Sequence, residues 1–297
     1  MSPNLKKRLV HFVAYPAFFG LAFAGMLSLT FPYDALKARI RSEARARDVE
    51  LSIASLAPVP FGVEAKGVEL NLFKAAEGRP AAEPLRIDAL TLYPRLLPLG
   101  VHVRARLLGG QLDAALHAAK VHKLKLRARS LELARLPPEA LGSLVMDGSL
   151  SLLADLAIDG QDFARTEGRV ALLGEEMLLR KGAVQGFTLP RVDLGRVELD
   201  LALAEGKARL TTARTTGVDL VAQLEGDIKQ ARKVALSTPN VSLRFQPSDD
   251  FLKRNALVSA ALGMAMKKDD DGFYEASLRG TLGALKFVPQ KKAGKKK

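Results

Sequence analysis

Four histidines are the first residues in this chain whose type could do chemistry. His11 lies in an apolar stretch. The other three, His102, His117 and His122, lie in strand-like stretches with no His-x-x-x-His helix and no carboxylates at ligand spacing. We therefore expect these three to be ordinary residues on the solvated face of a sheet.

An aspartate run, Asp269, Asp270 and Asp271 followed by Gly272, is the second candidate, because carboxylates bind calcium. The run lacks the regular alternation and the terminal Glu of an EF-hand loop. A solvated hairpin turn between Met266 and Phe273 is the better interpretation.

Motifs for catalysis are absent from the sequence. It contains no Gly-x-Ser-x-Gly elbow, no Gly-x-x-x-x-Gly-Lys-Ser/Thr loop and no dinucleotide fingerprint. It also has no cysteine, which excludes disulfides, thiol catalysis and a Cys-ligated metal. We assign no catalytic, cofactor-binding or metal-ligating residue and expect no enzyme. A periplasmic hydrolase stays open as a third functional hypothesis.

The net charge of +13 would suit a polyanion, but nine of these charges lie at the two ends of the chain. They belong to Lys6, Lys7, Arg8, Lys286, Lys291, Lys292, Lys295, Lys296 and Lys297. Aromatic residues are only 6% of the chain and Trp is absent, so stacking surfaces for bases or sugars are not expected. We therefore predict that the partner is not a nucleic acid.

The stretch Leu9 to Phe31 contains no Lys, Arg, Asp or Glu and is long enough for a transmembrane helix. The basic residues of the preceding segment, 1–8, keep that segment in the cytoplasm and place the body in the bacterial periplasm. A cleaved signal peptide is the alternative, since Ala22-Phe23-Ala24 resembles a cleavage site. The apolar run continues to Phe31, which favours an uncleaved inner-membrane anchor at 9–31.

Helix-forming residues follow the anchor from Tyr33 to Arg47, which predicts a linker helix within 32–48. Its arginines could lie on lipid headgroups. A solvated linker is the alternative, because the apolar stripe of Leu36 and Ile40 is thin. The last segment, 289–297, is basic, and we expect it to be a disordered tail, with membrane contact as the alternative.

From Val49 onward the hydrophobic period is two, which is typical of strands with one solvated face. The clearest runs are Val101 to Leu107, Lys123 to Arg129, Val197 to Leu203 and Val218 to Leu224. A phase slip at Gly195 predicts a bulge. Residues 49–288 therefore form a mainly β periplasmic domain: an elongated, twisted, mostly antiparallel sheet, open or partly closed, with a few short helices.

Two interruptions predict helices, at Arg135 to Val145 and at Ser248 to Leu262. The second opens with Ser248 as N-cap and should pack Phe251, Leu252, Val258 and Leu262 on the sheet. The apolar sheet face is rich in Leu, Val and Ala. It either folds onto itself as a closed core or stays open as a groove for acyl chains or a partner strand.

The chain resembles the general secretory pathway protein N family of type II secretion systems. The resemblance rests on the single anchor, on FPYDALKARI at Phe31 to Ile40, on the Val49 to Phe73 segment ending in GVELNLF, and on Thr216 to Leu262. This last stretch combines a Gly-x-Asp strand pair with the Ser-Asp-Asp-Phe-Leu helix start. The strand-rich layout also resembles AsmA-like proteins, which are usually much longer.

The first resemblance implies a bitopic inner-membrane protein that assembles with other type II secretion subunits and has no catalytic residue. The second implies a protein that binds or transfers phospholipid along the apolar face of its sheet. Both functions stay open at the level of the sequence.

Overall fold

The body of the chain is one open antiparallel sheet. The computed structural model describes residues 15, 18–19, 22, 25–26, 30–46, 50–71, 83–96, 99–117, 121–137, 144–159, 162–184 and 187–289. Neighbours in sequence are neighbours in the sheet, except that the short β9 pairs only with β8 and leaves β8 beside β10. The first strand does not pair with the last one, so the sheet is not closed.

Fifteen strands form this sheet in the described part of the chain. They are β1 (Glu50–Val59), β2 (Gly62–Asn71), β3 (Leu85–Leu96), β4 (Leu99–Leu107), β5 (Gly110–His117), β6 (His122–Glu132), β7 (Val145–Ile158), β8 (Glu167–Val184), β9 (Phe187–Leu189), β10 (Val192–Ala204), β11 (Lys207–Thr216), β12 (Leu220–Lys229), β13 (Thr238–Pro247), β14 (Tyr274–Thr281) and β15 (Ala284–Pro289).

The alternating runs of the sequence account for these strands. Three of the four predicted runs lie inside β4, β6 and β10, and the prediction of a mainly β antiparallel sheet is confirmed. The fourth run begins two residues too early, because Val218 lies in the turn before β12 and is exposed. The predicted bulge at Gly195 is confirmed by a register shift on each side of it and by its φ of 57°.

Three helices with described bounds accompany the sheet: α1 (Tyr33–Ala46), α2 (Asp249–Arg254) and α3 (Ala256–Ala265). The described residues among 15–30 are helical as well. Helix α1 confirms the predicted linker helix. The single helix predicted at Ser248 to Leu262 is wrong, because the backbone of Asn255 leaves the helical region at φ −126° and ψ 66°. The Asn255 side chain donates to the carbonyl of Phe251 at 2.9 Å, which ends α2 locally. Ser248 is the N-cap, as predicted, and accepts from Phe251 N.

The remaining sequence predictions fall partly outside the described residues. Residues 1–8, 138–143 and 290–297, and most of 9–31, lie outside the described part of the chain. Before the predicted helix at 135–145 the chain forms a 3-10 turn at Leu133–Arg135. The described residues alone contain no helix that is both long enough and apolar enough to span a bilayer.

Three clusters of buried residues lie where a helix meets the sheet. Ile40 of α1 packs on a cluster that includes Ile53 and Val68. Phe251 of α2 packs with Leu179 and Val192, and Leu252 and Val258 pack against the same cluster. Leu262 packs on Met266, Tyr274 and Ala276. The predicted packing of these helical residues on the sheet is confirmed, and each helix covers only part of the sheet.

Candidate binding surface

One face of the sheet is apolar across most of its width. Residues that are paired between neighbouring strands place their side chains on the same face, so the pairing identifies the residues of this face. Strand register aligns two rows of apolar residues on this face, which we call the apolar face. The first row crosses ten strands and comprises Leu56, Ala65, Leu90, Ala105, Leu112, Ala128, Leu152, Leu172, Leu199 and Ala213. The second crosses nine strands and comprises Val63, Leu92, Val103, Ala114, Leu126, Ala154, Val170, Leu201 and Leu210.

These side chains are buried or half-buried although little covers them. In the described part of the chain, no helix or second sheet makes more than marginal contact with β5, β6 or β11. The leucines and alanines therefore shield one another along the rows. With strands about 4.8 Å apart, ten strands extend this surface over roughly 40 Å. The expected alternative of a closed core is wrong, since the sheet ends at two separate edges.

The opposite face is charged and carries ion pairs both between neighbouring strands and within β10. Arg169 pairs with Asp200, and Arg214 and Arg196 both pair with Glu198 at 2.7 Å. The hydrogen bond from Arg169 lowers the pKa of Asp200, and the hydrogen bonds from Arg214 and then Arg196 lower the pKa of Glu198. These carboxylates are thus held ionised by neighbours and have no proton to give near neutral pH.

A shallow depression of about 700 Å³ lies on the charged face between β4 and β8. It is lined by His102, Asp113, Lys125, Asp155 and Arg169, among others. Both acids are paired, Asp155 with Lys125 and Asp113 with Arg104, each at 3.2 Å, and Arg169 pairs with Asp200. The depression therefore holds no cluster of unpaired carboxylates that would favour a cation.

The histidines occupy different surroundings. His102 and His117 lie on the charged face, as expected, whereas the register of β6 with β7 places His122 opposite Ile158 at the end of the apolar face. The prediction that His122 lies on the solvated face is wrong. His122 and Leu124 are two residues apart in β6, so their side chains lie on the same, apolar face. Its Nδ1 is buried without a hydrogen-bond partner. In the described segments, no group of three His, Asp or Glu residues could hold a metal ion.

The aspartate run forms the predicted turn. Asp269 Oδ1 accepts from the backbone N–H of Asp271 at 3.0 Å and of Phe273 at 2.8 Å. Its other oxygen accepts from Arg244 at 2.5 Å, and this hydrogen bond is the main cause that lowers the pKa of Asp269. These contacts use the carboxylate oxygens to build the turn between α3 and β14.

The two edges of the sheet differ. Helix α1 lies along β1, where Lys37 donates to the carbonyl of Ala54 at 2.9 Å and Arg41 to that of Ile53 at 3.2 Å. At the other edge β15 pairs only with β14 among the described strands, and all six of its residues are exposed. One edge is thus covered by side chains and the other presents a backbone that can pair with an additional strand.

No family model, curated protein or solved structure matches the chain. The apolar rows were visible in the sequence as alternation within single strands, but their alignment required the register. The sequence did not predict that α1 covers the β1 edge, because the atoms of β1 that accept its hydrogen bonds are backbone carbonyls.

Proposed function

We propose that this protein is a non-enzymatic component of the type II protein secretion machinery, anchored in the bacterial inner membrane by residues 9–31. Its periplasmic body would bind partner subunits through the apolar face and the free β15 edge. The observation that carries the proposal is the set of two registered apolar rows without a covering layer on β5, β6 and β11. An apolar surface of this extent is typical of an interaction site.

The resemblance to the general secretory pathway protein N family supplies the choice of machinery. The residues that carry it lie mostly in α1 (Phe31 to Ile40), in β1 and β2 (Val49 to Phe73), and in the run from the turn before β12 through β12, β13 and α2 into α3 (Thr216 to Leu262). These are structural segments, strands and the helices that pack on them. They support a role in assembly and contain no residue with a catalytic role to assign.

Photo-crosslinking in cells tests the proposal. A benzoylphenylalanine replaces Leu199 on the apolar face, and the same substitution at Leu153 on the charged face is the matched control. We expect a covalent product from position 199 that contains a type II secretion subunit, with far less from position 153. A position-199 product with no secretion subunit would contradict the proposal.

Phospholipid binding is the second candidate, and the absence of hydrogen-bonding side chains along both apolar rows favours it. Acyl chains need only such a surface, whereas a protein partner also brings polar groups. Native mass spectrometry of the detergent-purified full chain separates the two candidates. Retained phospholipid that is lost in a Leu172→Asn variant would support the lipid function, and lipid-free protein would exclude it.

A further inference from the structure

The free edge of β15 presents few backbone groups to a further strand. A two-residue loop joins β14 to β15, so Thr281 and Ala284 form a hydrogen-bonded pair, and from there on every second residue of β15 bonds to β14. The residues between them, Leu285 and Phe287, therefore direct their N–H and C=O groups away from β14. Pro289 ends the strand and has no N–H. The described edge thus has two N–H donors for a neighbouring strand.

Two cations face each other at this edge. Arg279 of β14 lies opposite Lys286 of β15 on the charged face, and both side chains are exposed. Like charges directly opposite each other destabilise a strand pair. Neither side chain forms an ion pair with a described carboxylate, and the one acid of β14, Glu275, pairs with Arg244 at 3.5 Å. The sequence that follows, 290–297, adds five lysines and no acid. An acid on a neighbouring strand would balance this charge.

The two residues that direct their backbone outward have apolar side chains on the other side of the sheet. Phe287 lies opposite Leu278, and its ring centroid is 6.3 Å from that of Phe245. Leu285 lies opposite Gly280 and is 45% exposed, and Phe287 is 38% exposed. A strand added here would place apolar residues beside these two, with one residue between them on the charged face. The complementary pattern is therefore apolar, acidic, apolar.

A second copy of this chain does not supply that pattern. In an antiparallel pair of two β15 strands, the register that uses all the outward N–H groups places Leu285 of each copy opposite Phe287 of the other. The two Lys286 side chains then lie opposite each other, next to both Arg279 side chains, and the lysines that follow β15 in the sequence add to the repulsion. Lysine on an edge strand is a common means to prevent such self-pairing.

We propose that the β15 edge binds an extended segment of another protein, which adds a strand with an acidic residue opposite Lys286 and an apolar residue on each side of that acid. This inference rests on the proposed function for the identity of the partner, a secretion subunit, and it defines the chemistry of the segment that binds. Main-chain hydrogen bonds to Leu285 and Phe287 hold the added strand, and the carboxylate selects the partner.

Photo-crosslinking of the full chain in cells tests this inference. Benzoylphenylalanine replaces Val288, which is 40% exposed and would lie beside the added strand, and the control position is Phe61, an exposed residue in the turn at the opposite edge. Phe287→Pro removes one outward N–H without removing a bond to β14, and Phe287→Leu is its matched control. Lys286→Glu reverses the charge at the edge, and Lys286→Arg keeps it.

We expect a product from position 288 and far less from position 61. The product should fall by about tenfold with Phe287→Pro and with Lys286→Glu, and both matched controls should keep it. Mass spectrometry of the crosslinked peptide should find an acidic residue about two positions from the attached one, because alternate side chains share a face. Lysine at that position of the partner should restore the product with Lys286→Glu. If Phe287→Pro lowers the protein level, this exchange of charges decides.

Three results would overturn the inference. The lack of a product at position 288, with a secretion subunit crosslinked at Leu199, would show that the partner does not use this edge. A crosslinked second copy would show self-pairing, and a product that persists with Lys286→Glu would show that charge does not select the segment. An edge-dependent product with an acidic segment of a protein outside the secretion machinery would support strand addition and would instead contradict the proposed function.

Discussion

The carboxylate of Asp219 binds the guanidinium of Arg254, with 2.5 Å between Oδ1 and Nη2. Its second oxygen accepts from the backbone N–H of Asp193 at 3.0 Å, and its own carbonyl accepts from Ser248 N at 2.9 Å. One buried acid thus joins the start of β10, the turn before β12 and the start of α2. These contacts join the Gly-x-Asp turn to the Ser-Asp-Asp-Phe-Leu helix start.

Removal of this acid should destabilise the sheet where it meets α2. We expect Asp219→Ala to lower the free energy of unfolding by about 1–3 kcal/mol, because the N–H of Asp193 loses its partner in a partly buried position and Arg254 loses its carboxylate. Urea unfolding of the full chain in detergent measures the change. Glu225→Ala, at an exposed position of β12, is the control and should leave stability nearly unchanged. Equal stability of the two variants would contradict the role given to Asp219.

The ion pair between Arg169 and Asp200 predicts a pH dependence. Because the pKa of Asp200 is lowered in the folded protein, ionised Asp200 stabilises the fold above its unfolded-state pKa of about 3.9. That contribution is lost as the pH falls through the folded-state pKa. Asp200→Asn should therefore be slightly less stable than the natural chain at pH 7, since Arg169 is exposed, and equally stable in strong acid.

Urea unfolding across this pH range checks the prediction for Asp200. Asp88→Asn, at an exposed carboxylate on β3, controls for the change in net charge. A stability difference that widens as the solution becomes more acidic would contradict the assigned direction.

Adjacent residues of β7 allow a matched test of the apolar face. Leu152 belongs to the first apolar row, whereas Leu153 points to the charged face and is 50% exposed. Leu152→Asn should cost about 1–3 kcal/mol, as expected for a partly buried polar group without a partner. It should also fail to restore secretion in a deletion strain, while Leu153→Asn restores it.

Protein levels must be compared in that experiment, because a destabilised variant could be degraded. A second variant, Leu172→Met, keeps the face apolar and should restore secretion. Full secretion with folded Leu152→Asn protein would exclude the apolar face as the binding surface.

Helix α1 should protect the β1 edge from pairing with other chains. Replacing both Lys37 and Arg41 with Ala removes the two side chains that donate to carbonyls of β1. We expect concentration-dependent self-association of this double variant in analytical ultracentrifugation, because exposed edges recruit strands. Arg39→Ala, at an exposed position of α1, should behave like the natural chain. A monomeric double variant would show that α1 does not protect this edge.

The sequence predicts the sheet because alternation within a strand is a local pattern. It predicts Ser248 as a cap for the same reason, since the cap and Phe251 are three residues apart. The break at Asn255 was missed because it depends on the backbone conformation of one residue, whose side chain and N–H both donate to the Phe251 carbonyl.

Long-range relationships were less accessible to prediction. The apolar rows depend on the register between strands. His122 shows that the position of a residue in the alternation of its strand decides which face it lies on, even when the residue is polar. The choice between a closed core and an open face depends on pairing between the first and last strands, about which alternation says nothing.

The most direct test of the proposed function is secretion by a strain that lacks this protein. The coding region is deleted without disturbing its neighbours, and normally secreted enzymes are measured in the medium and in the periplasm. We expect the enzymes to accumulate in the periplasm, with outer-membrane lipid asymmetry unchanged and secretion restored by the natural chain. Continued secretion together with an envelope permeable to hydrophobic drugs would contradict the secretion function and would support lipid handling.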